Sequence, residues 1–269
     1  MSVKEFLELF IKELEQNTNL REYHRIINSP KSFLFRKAYV EQRFNYVDKA
    51  LNDIGGEIWD LGCGYATTSI FLALNGKSIT GTTLEFYYDK VSERFDYWSK
   101  FGSLDKLKIN YENIFDKKVV PGAYEAVLVQ DTLHHLEPID NAIEIISKSL
   151  TENGRVVVSE ENGNNIIQNA KLYKQRGNKR IKEIYDEKLG KTILLGDENI
   201  RSLKKWKQLF AKQGMKINEP ATEYIRFYPP NFFREENYYD LIAKEQKIAD
   251  RNNLLKERMF FGLNYTVSK

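Results

Sequence analysis

An α/β fold built on a doubly wound, mostly parallel seven-stranded sheet is predicted by three features of the chain. Short apolar strands alternate with helical segments from residue 57 to residue 159. One strand runs through Asp60, Gly62 and Gly64 directly into a helix. An apolar segment at 260–267 closes the chain as a last strand.

The elements follow in order. Val3, Phe6, Leu7, Phe10 and Leu14 recur at helical spacing and predict a helix over 3–16. Val40, Phe44, Val47 and Leu51 form the stripe of a second helix over 31–52, so residues 1–53 read as an N-terminal helical cap. Residues 57–61 are a strand, 67–74 a helix that Gly76 can close, and 78–84 a second strand. Val91, Phe95 and Trp98 mark the next helix, and 107–111 and 126–130 the next two strands. Ile139, Ala142, Ile143, Ile146 and Leu150 outline an amphipathic helix, and the turn at Asn153-Gly154 leads into a strand over 155–159. Residues 54–161 are thus the regular half of the chain.

Residues 162–269 are less regular. The polar, basic stretch 162–197 is expected to be a late helical insertion. Within it, Glu183, Asp186 and Glu187 interrupt the positive charge of 171–191, as on a solvated helix face. Leu203, Trp206, Leu209 and Phe210 give a helix that Gly214 stops, 215–228 reads as extended, and 238–256 as helical. No linker composition divides the chain, so a single domain is expected.

Composition narrows the function classes. The chain has 269 residues, 42% of them hydrophobic, enough for one large core. A net charge of +3 lacks the positive field of a nucleic-acid protein, so no nucleic-acid partner is expected. The single cysteine, Cys63, forms no intramolecular disulfide and fits a reducing cytoplasm. One Cys and three His do not make the common structural zinc sites, and no metal is expected. Glu5, Glu8, Glu13 and Glu15 in the first residues argue against a signal peptide, and no apolar run approaches a membrane span. A soluble, cytoplasmic protein is expected; its oligomeric state is not encoded in any pattern of the sequence.

The informative segment is IWDLGCGYATTSIFLALNG. Glycine at 62 and 64 lets the backbone bend sharply and lets a ligand approach, and the helix that follows points free N–H groups at the same place. A dinucleotide G-x-G-x-x-G would need glycine where Thr67 stands, and no Walker Gly-Lys-Ser/Thr is present. The pattern D-x-G-x-G-x-A resembles the first motif of class I S-adenosylmethionine-dependent methyltransferases, with Ala66 in place of the usual last glycine. That resemblance implies a Rossmann-like sheet with an antiparallel closing strand, S-adenosylmethionine as cofactor, and Asp60, Gly62, Cys63 and Gly64 beside it.

Further positions match in order and spacing. An acid near the end of the second strand can bind ribose hydroxyls. The family's acid stands where this chain has Thr83, and Glu85 lies two residues later, so Thr83, Leu84 and Glu85 share that assignment. Asn113 and Ile114, in YENIFD, match the residues that hold and cover adenine in the family. Gln130 and Asp131, opening QDTLHHLEPIDNA, match the end of its fourth strand. Phe33, Phe35 and Tyr39 could form an aromatic lid, and Tyr39 is assigned to the sulfonium side. The matched motifs span roughly 31–161; 198–269 matches by general pattern alone.

Methyl transfer from a sulfonium needs alignment and exclusion of water more than it needs a metal or a covalent intermediate. A hydroxyl or ammonium acceptor must also lose a proton, for which His134 and His135 are the candidates, with His135 facing the pocket. Cys63 and His24 read as packing residues, whereas Glu160 and Glu161 either contact substrate or are solvated. Tyr224, Phe227, Tyr228 and Phe232, around Pro229-Pro230, either shape an acceptor pocket or fill a local core. The D/N-P-P-Y/F/W motif of nucleic-acid amino-methyltransferases is absent after the fourth strand, which favours a small-molecule or lipid-like acceptor. The rival readings are a non-catalytic binder of S-adenosylmethionine or S-adenosylhomocysteine and another Rossmann-like nucleotide-dependent enzyme.

Overall fold

The computed structural model describes residues 1–84 and 88–269. Three helices open the chain: α1 (Val3–Gln16), α2 (Thr18–His24) and α3 (Pro30–Leu51). Ser2 and Glu5 form a capping box at the start of α1, and the Asn17 side chain accepts from Leu20 N–H to start α2. The alternating half follows as β1 (Glu57–Leu61), α4 (Thr67–Leu74), β2 (Ser78–Thr83), α5 (Val91–Trp98), β3 (Leu107–Tyr111), β4 (Tyr124–Gln130), α6 (Ile139–Ser149) and β5 (Leu150–Glu161). Next come α7 (Ile166–Arg176), β6 (Ile181–Asp186), β7 (Lys191–Gly196), α8 (Leu203–Ala211), β8 (Lys216–Ile217) and β9 (Glu223–Ile225). The chain ends with α9 (Tyr238–Arg251), α10 (Asn253–Met259) and β10 (Gly262–Ser268).

The strand order is β3-β2-β1-β4-β5-β10-β8, with the first five strands parallel and β10 antiparallel to β5. Both β8 and β9 pair with β10, so the seventh position of the predicted sheet is filled by two short strands. A 3-10 turn at Glu219–Ala221 separates them, and its Pro220 has no N–H to give a ladder.

Side-chain alternation along the strands makes two cores. Ile58, Ala126, Leu128 and Val157 face the side covered by α1, α3, α4 and α5. Trp59, Val127, Val129, Val156 and Val158 face the side covered by α6 and α8. The cap is tied down by charge as well as by packing. Buried Arg94 of α5 donates two hydrogen bonds to Glu13 of α1, at 2.8 and 2.7 Å, and two more to Tyr65 O and Thr67 Oγ1 in the turn after β1.

The insertion differs from the helical expectation. After α7 the basic stretch forms the antiparallel hairpin β6–β7, with Gly190 at φ +66° in its turn. Its alternation holds Ile193 buried and Leu194 exposed, a period of two that the clustered charges mask. The helix expected over 238–256 is broken at Asn252, whose side chain accepts from Leu255 N–H and starts α10.

Candidate active site

The turn after β1 is built by backbone geometry. Gly62 and Gly64 have φ of +76° and +54°, and the N–H groups of Gly62 and Cys63 both donate to Thr82 O of β2. A Cβ on Gly62 would lie 2.2 Å from Thr132 Oγ1, and one on Gly64 2.5 Å from Tyr23 Oη. Ala66, the departure from the glycine motif, also adopts a left-handed φ of +61° at the start of α4.

A cavity of about 530 Å³ opens where β1, β2 and β4 end. Asp60, Gly62, Cys63, Gly64, Thr83 and Leu84 line one side of it. Asn113, Ile114, Gln130, Asp131 and His135 line the rest of the predicted set. Glu85 lies outside the described residues.

Each polar wall group has a definable state. Asp60 is buried, accepts from Ser69 Oγ at 2.5 Å, and is pushed up to about 7 by burial, which that hydrogen bond only partly offsets. Asn113 Oδ1 accepts from Phe115 N–H and so starts the Ile114–Asp116 turn. Gln130 Oε1 accepts from Thr68 Oγ1 at 2.6 Å. Asp131, at φ +49°, pairs with Arg43 of α3. Burial opposes its ionisation, but Arg43, His134 and Arg226 together outweigh burial and hold the carboxyl below its ordinary range. Burial also pushes the Cys63 thiol well up, in keeping with a packing role.

The two histidines part company. They occupy a 3-10 turn, Leu133–His135, rather than an extended strand. His135 lines the cavity and its Nδ1 lies 2.8 Å from Gly196 O, at the end of the insertion hairpin. His134 lies behind it, 3% exposed, with Nδ1 2.6 Å from Glu160 Oε2. Burial opposes charge on His134, yet Glu160 raises it to about 9; burial, followed by the charge of His134, lowers His135. Glu160 is not solvated: its Oε1 accepts from the N–H groups of Thr132 and Leu133, which fixes the turn that carries both imidazoles.

The helical cap contributes more wall than the sequence indicated. Tyr23, His24, Val40, Arg43 and Phe44 line the cavity. His24 approaches Thr67 Oγ1 at 3.1 Å, and burial, then Arg94 and Arg43, depresses it to about 3. Tyr39 is not among the lining residues; it hydrogen-bonds to Arg43 and lies under Arg226, 4.4 Å from its guanidinium carbon. Phe33 packs into the first core and Phe35 against Phe233, so neither forms the expected lid. Near Pro229-Pro230, Tyr224 and Phe227 pack on Phe260, which supports the local-core alternative.

A family model described as Methyltransferase domain matches residues 59–158, the segment from β1 to β5 that carries this cavity. The ubiquinone biosynthesis O-methyltransferase of Dechloromonas aromatica (strain RCB) is 24% identical over 130 residues, covering 45% of this chain and 51% of that protein. The chain therefore spans about half the length of the curated relative it matches. Among solved structures, a Listeria monocytogenes protein provisionally described as an S-adenosylmethionine dependent methyltransferase superposes with a TM-score of 0.55 at 18% identity, covering 84% of this chain and 97% of that one. Phosphoethanolamine N-methyltransferase 2 of Haemonchus contortus, solved with S-adenosyl-L-methionine, gives 0.53 at 14% identity, covering 92% of this chain and 59% of that one. At these identities the superpositions show the fold alone, and the similarity to the methyltransferase domain lies in residues 59–158, the segment that carries the cavity.

Proposed function

We propose that the chain transfers the methyl group of S-adenosylmethionine to an O, N or C atom of a small-molecule or lipid-like acceptor inside this cavity. The observation that carries the reading is the left-handed turn at Gly62 and Gly64, where Thr132 and Tyr23 leave no room for a Cβ, at the edge of a cavity of about 530 Å³. That volume suits a small-molecule site. The polar walls fit the cofactor's parts. Buried Asp60, with Ser69 its only described side-chain partner, suits the ammonium of the methionine portion. On this reading Thr83 and Leu84, which line the cavity, take the ribose, and Asn113 with Ile114 the adenine.

When bound, the cofactor supplies a methyl group already activated by its sulfonium. The chain's own work is then alignment and exclusion of water, worth up to about 7–11 kcal/mol when the geometry is right. Arg43 and Asp131 hold α3 against the end of β4 and so keep the cap over the site. His135 is the imidazole assigned to the acceptor, because it reaches the cavity while His134 is held behind it by Glu160. Gly62→Glu tests the site: the folded variant should lose S-adenosylhomocysteine binding altogether, whereas unchanged affinity would remove the glycine turn from the site.

A further inference from the structure

Beside the cavity, His134, His135 and Glu198 bring one ligand atom each to within 4.8 Å of one another. We propose that these three residues bind a divalent transition-metal ion at the acceptor end of the cavity, leaving coordination positions open to an oxygen of the acceptor. The proposal rests on the reading of the cavity as a methyl-transfer site, and it deepens that reading by naming a ligand class.

Three observations support it. First, both imidazoles are oriented as metal ligands usually are. His134 Nδ1 is turned to a fully buried carboxylate, Glu160, and His135 Nδ1 to a backbone carbonyl, Gly196 O. Such partners fix the tautomer and leave each Nε2 lone pair for an ion. Second, His134 Nε2 has Glu198 Oε2 as its facing group at 3.7 Å, too far for a hydrogen bond and close enough for both to share an ion after a small approach.

Third, the backbone brings Glu198 to the histidines in a conformation few residues adopt, a left-handed φ of +51°. Gly196 lets the hairpin end press on the histidine turn, since a Cβ there would lie 2.0 Å from His134 O. The insertion thereby carries Glu198 to the two histidines.

Counting cysteines and histidines argued against a four-ligand structural zinc site; two imidazoles and one carboxylate with open positions is a different donor set, suited to ions of the zinc, cobalt and iron(II) kind rather than magnesium or calcium. The ion would hold the acceptor oxygen and lower the pKa of its hydroxyl, whose proton would leave to solvent water before the methyl group arrives. His135 would then act on the acceptor through the metal rather than by taking its proton.

The test is a titration of the chelator-treated full chain with Co²⁺, read by its visible absorption, beside a calorimetric titration with S-adenosylhomocysteine. One saturable Co²⁺ site is expected, displaced by Zn²⁺. Its affinity should fall at least 10–100-fold in His135→Gln and in Glu198→Gln, a half-exposed position outside both cores and outside the cavity lining, and S-adenosylhomocysteine affinity should be retained in Glu198→Gln. No Co²⁺ or Zn²⁺ binding, or binding unchanged in both variants, overturns the metal site. Loss of S-adenosylhomocysteine binding with Co²⁺ binding intact would instead overturn the cofactor reading.

Discussion

Gly62 and Gly76 share a left-handed backbone, φ +76° and +82°, yet differ in what surrounds them. A methyl group on Gly62 meets Thr132, whereas one on Gly76 meets nothing within 4 Å. Both alanine variants should be destabilised, by more than about 1 kcal/mol, because the backbone is strained in each. Only Gly62→Ala should also weaken S-adenosylhomocysteine binding, at least tenfold, in calorimetry. Equal binding by the two variants would contradict the role given to the turn. Asp60 makes a pH prediction. Its carboxyl ionises near the ordinary value of 3.8 in the unfolded chain and near 7 in the folded one. Between about pH 4 and 7 the folded state therefore binds more protons, and this group lowers stability as pH rises. In Asp60→Asn that component disappears, so the melting temperature of the variant relative to the wild type should rise from pH 5 to pH 8. A difference independent of pH would show that Asp60 is ionised in the folded chain. The residues of the glycine motif were readable because turn geometry is written in local sequence. His24 and Arg43 were not, because their place on the cavity wall depends on how α2 and α3 dock.

That docking depends on one buried ion pair. Glu13 is 4% and Arg94 1% exposed, and Trp98 Nε1 also donates to Glu13 Oε2. Glu13→Ala leaves a buried guanidinium without its carboxylate next to the glycine turn, so a loss of about 3–5 kcal/mol is expected in denaturant unfolding. A loss under 1 kcal/mol would mean that the cap is held by its apolar face alone. In the sequence Glu13 is one of four acids near the start of the chain, and nothing in the spacing reveals a partner 81 residues away. The regular half was legible element by element because each strand and helix there carries its own period. The hairpin was missed because its alternation is short and its exposed face is crowded with charge, which reads equally well as a helix surface.

At the scale of the whole molecule, the doubly wound sheet puts the cavity at the carboxyl ends of its strands, and the additions at either end of the chain close over it. Tyr23 and His24 come from the cap, and Leu195 comes from the hairpin that bridges to Leu136. S-adenosylhomocysteine should therefore slow amide exchange in α2 and in β7 as well as in the glycine turn, while β5 and β10 change little. Protection confined to the glycine turn would show that cap and hairpin do not close on the ligand. The fold and the cofactor half follow from local patterns; the acceptor end is assembled from segments distant in sequence, and its chemistry comes into view only once they are placed together. The central claim, that this cavity is an S-adenosylmethionine site, is tested most directly by calorimetric titration of the chain with S-adenosylhomocysteine and, in parallel, with NAD. Saturable one-to-one binding of S-adenosylhomocysteine and none of NAD is the predicted result. Binding of NAD alone, or of neither, would contradict it.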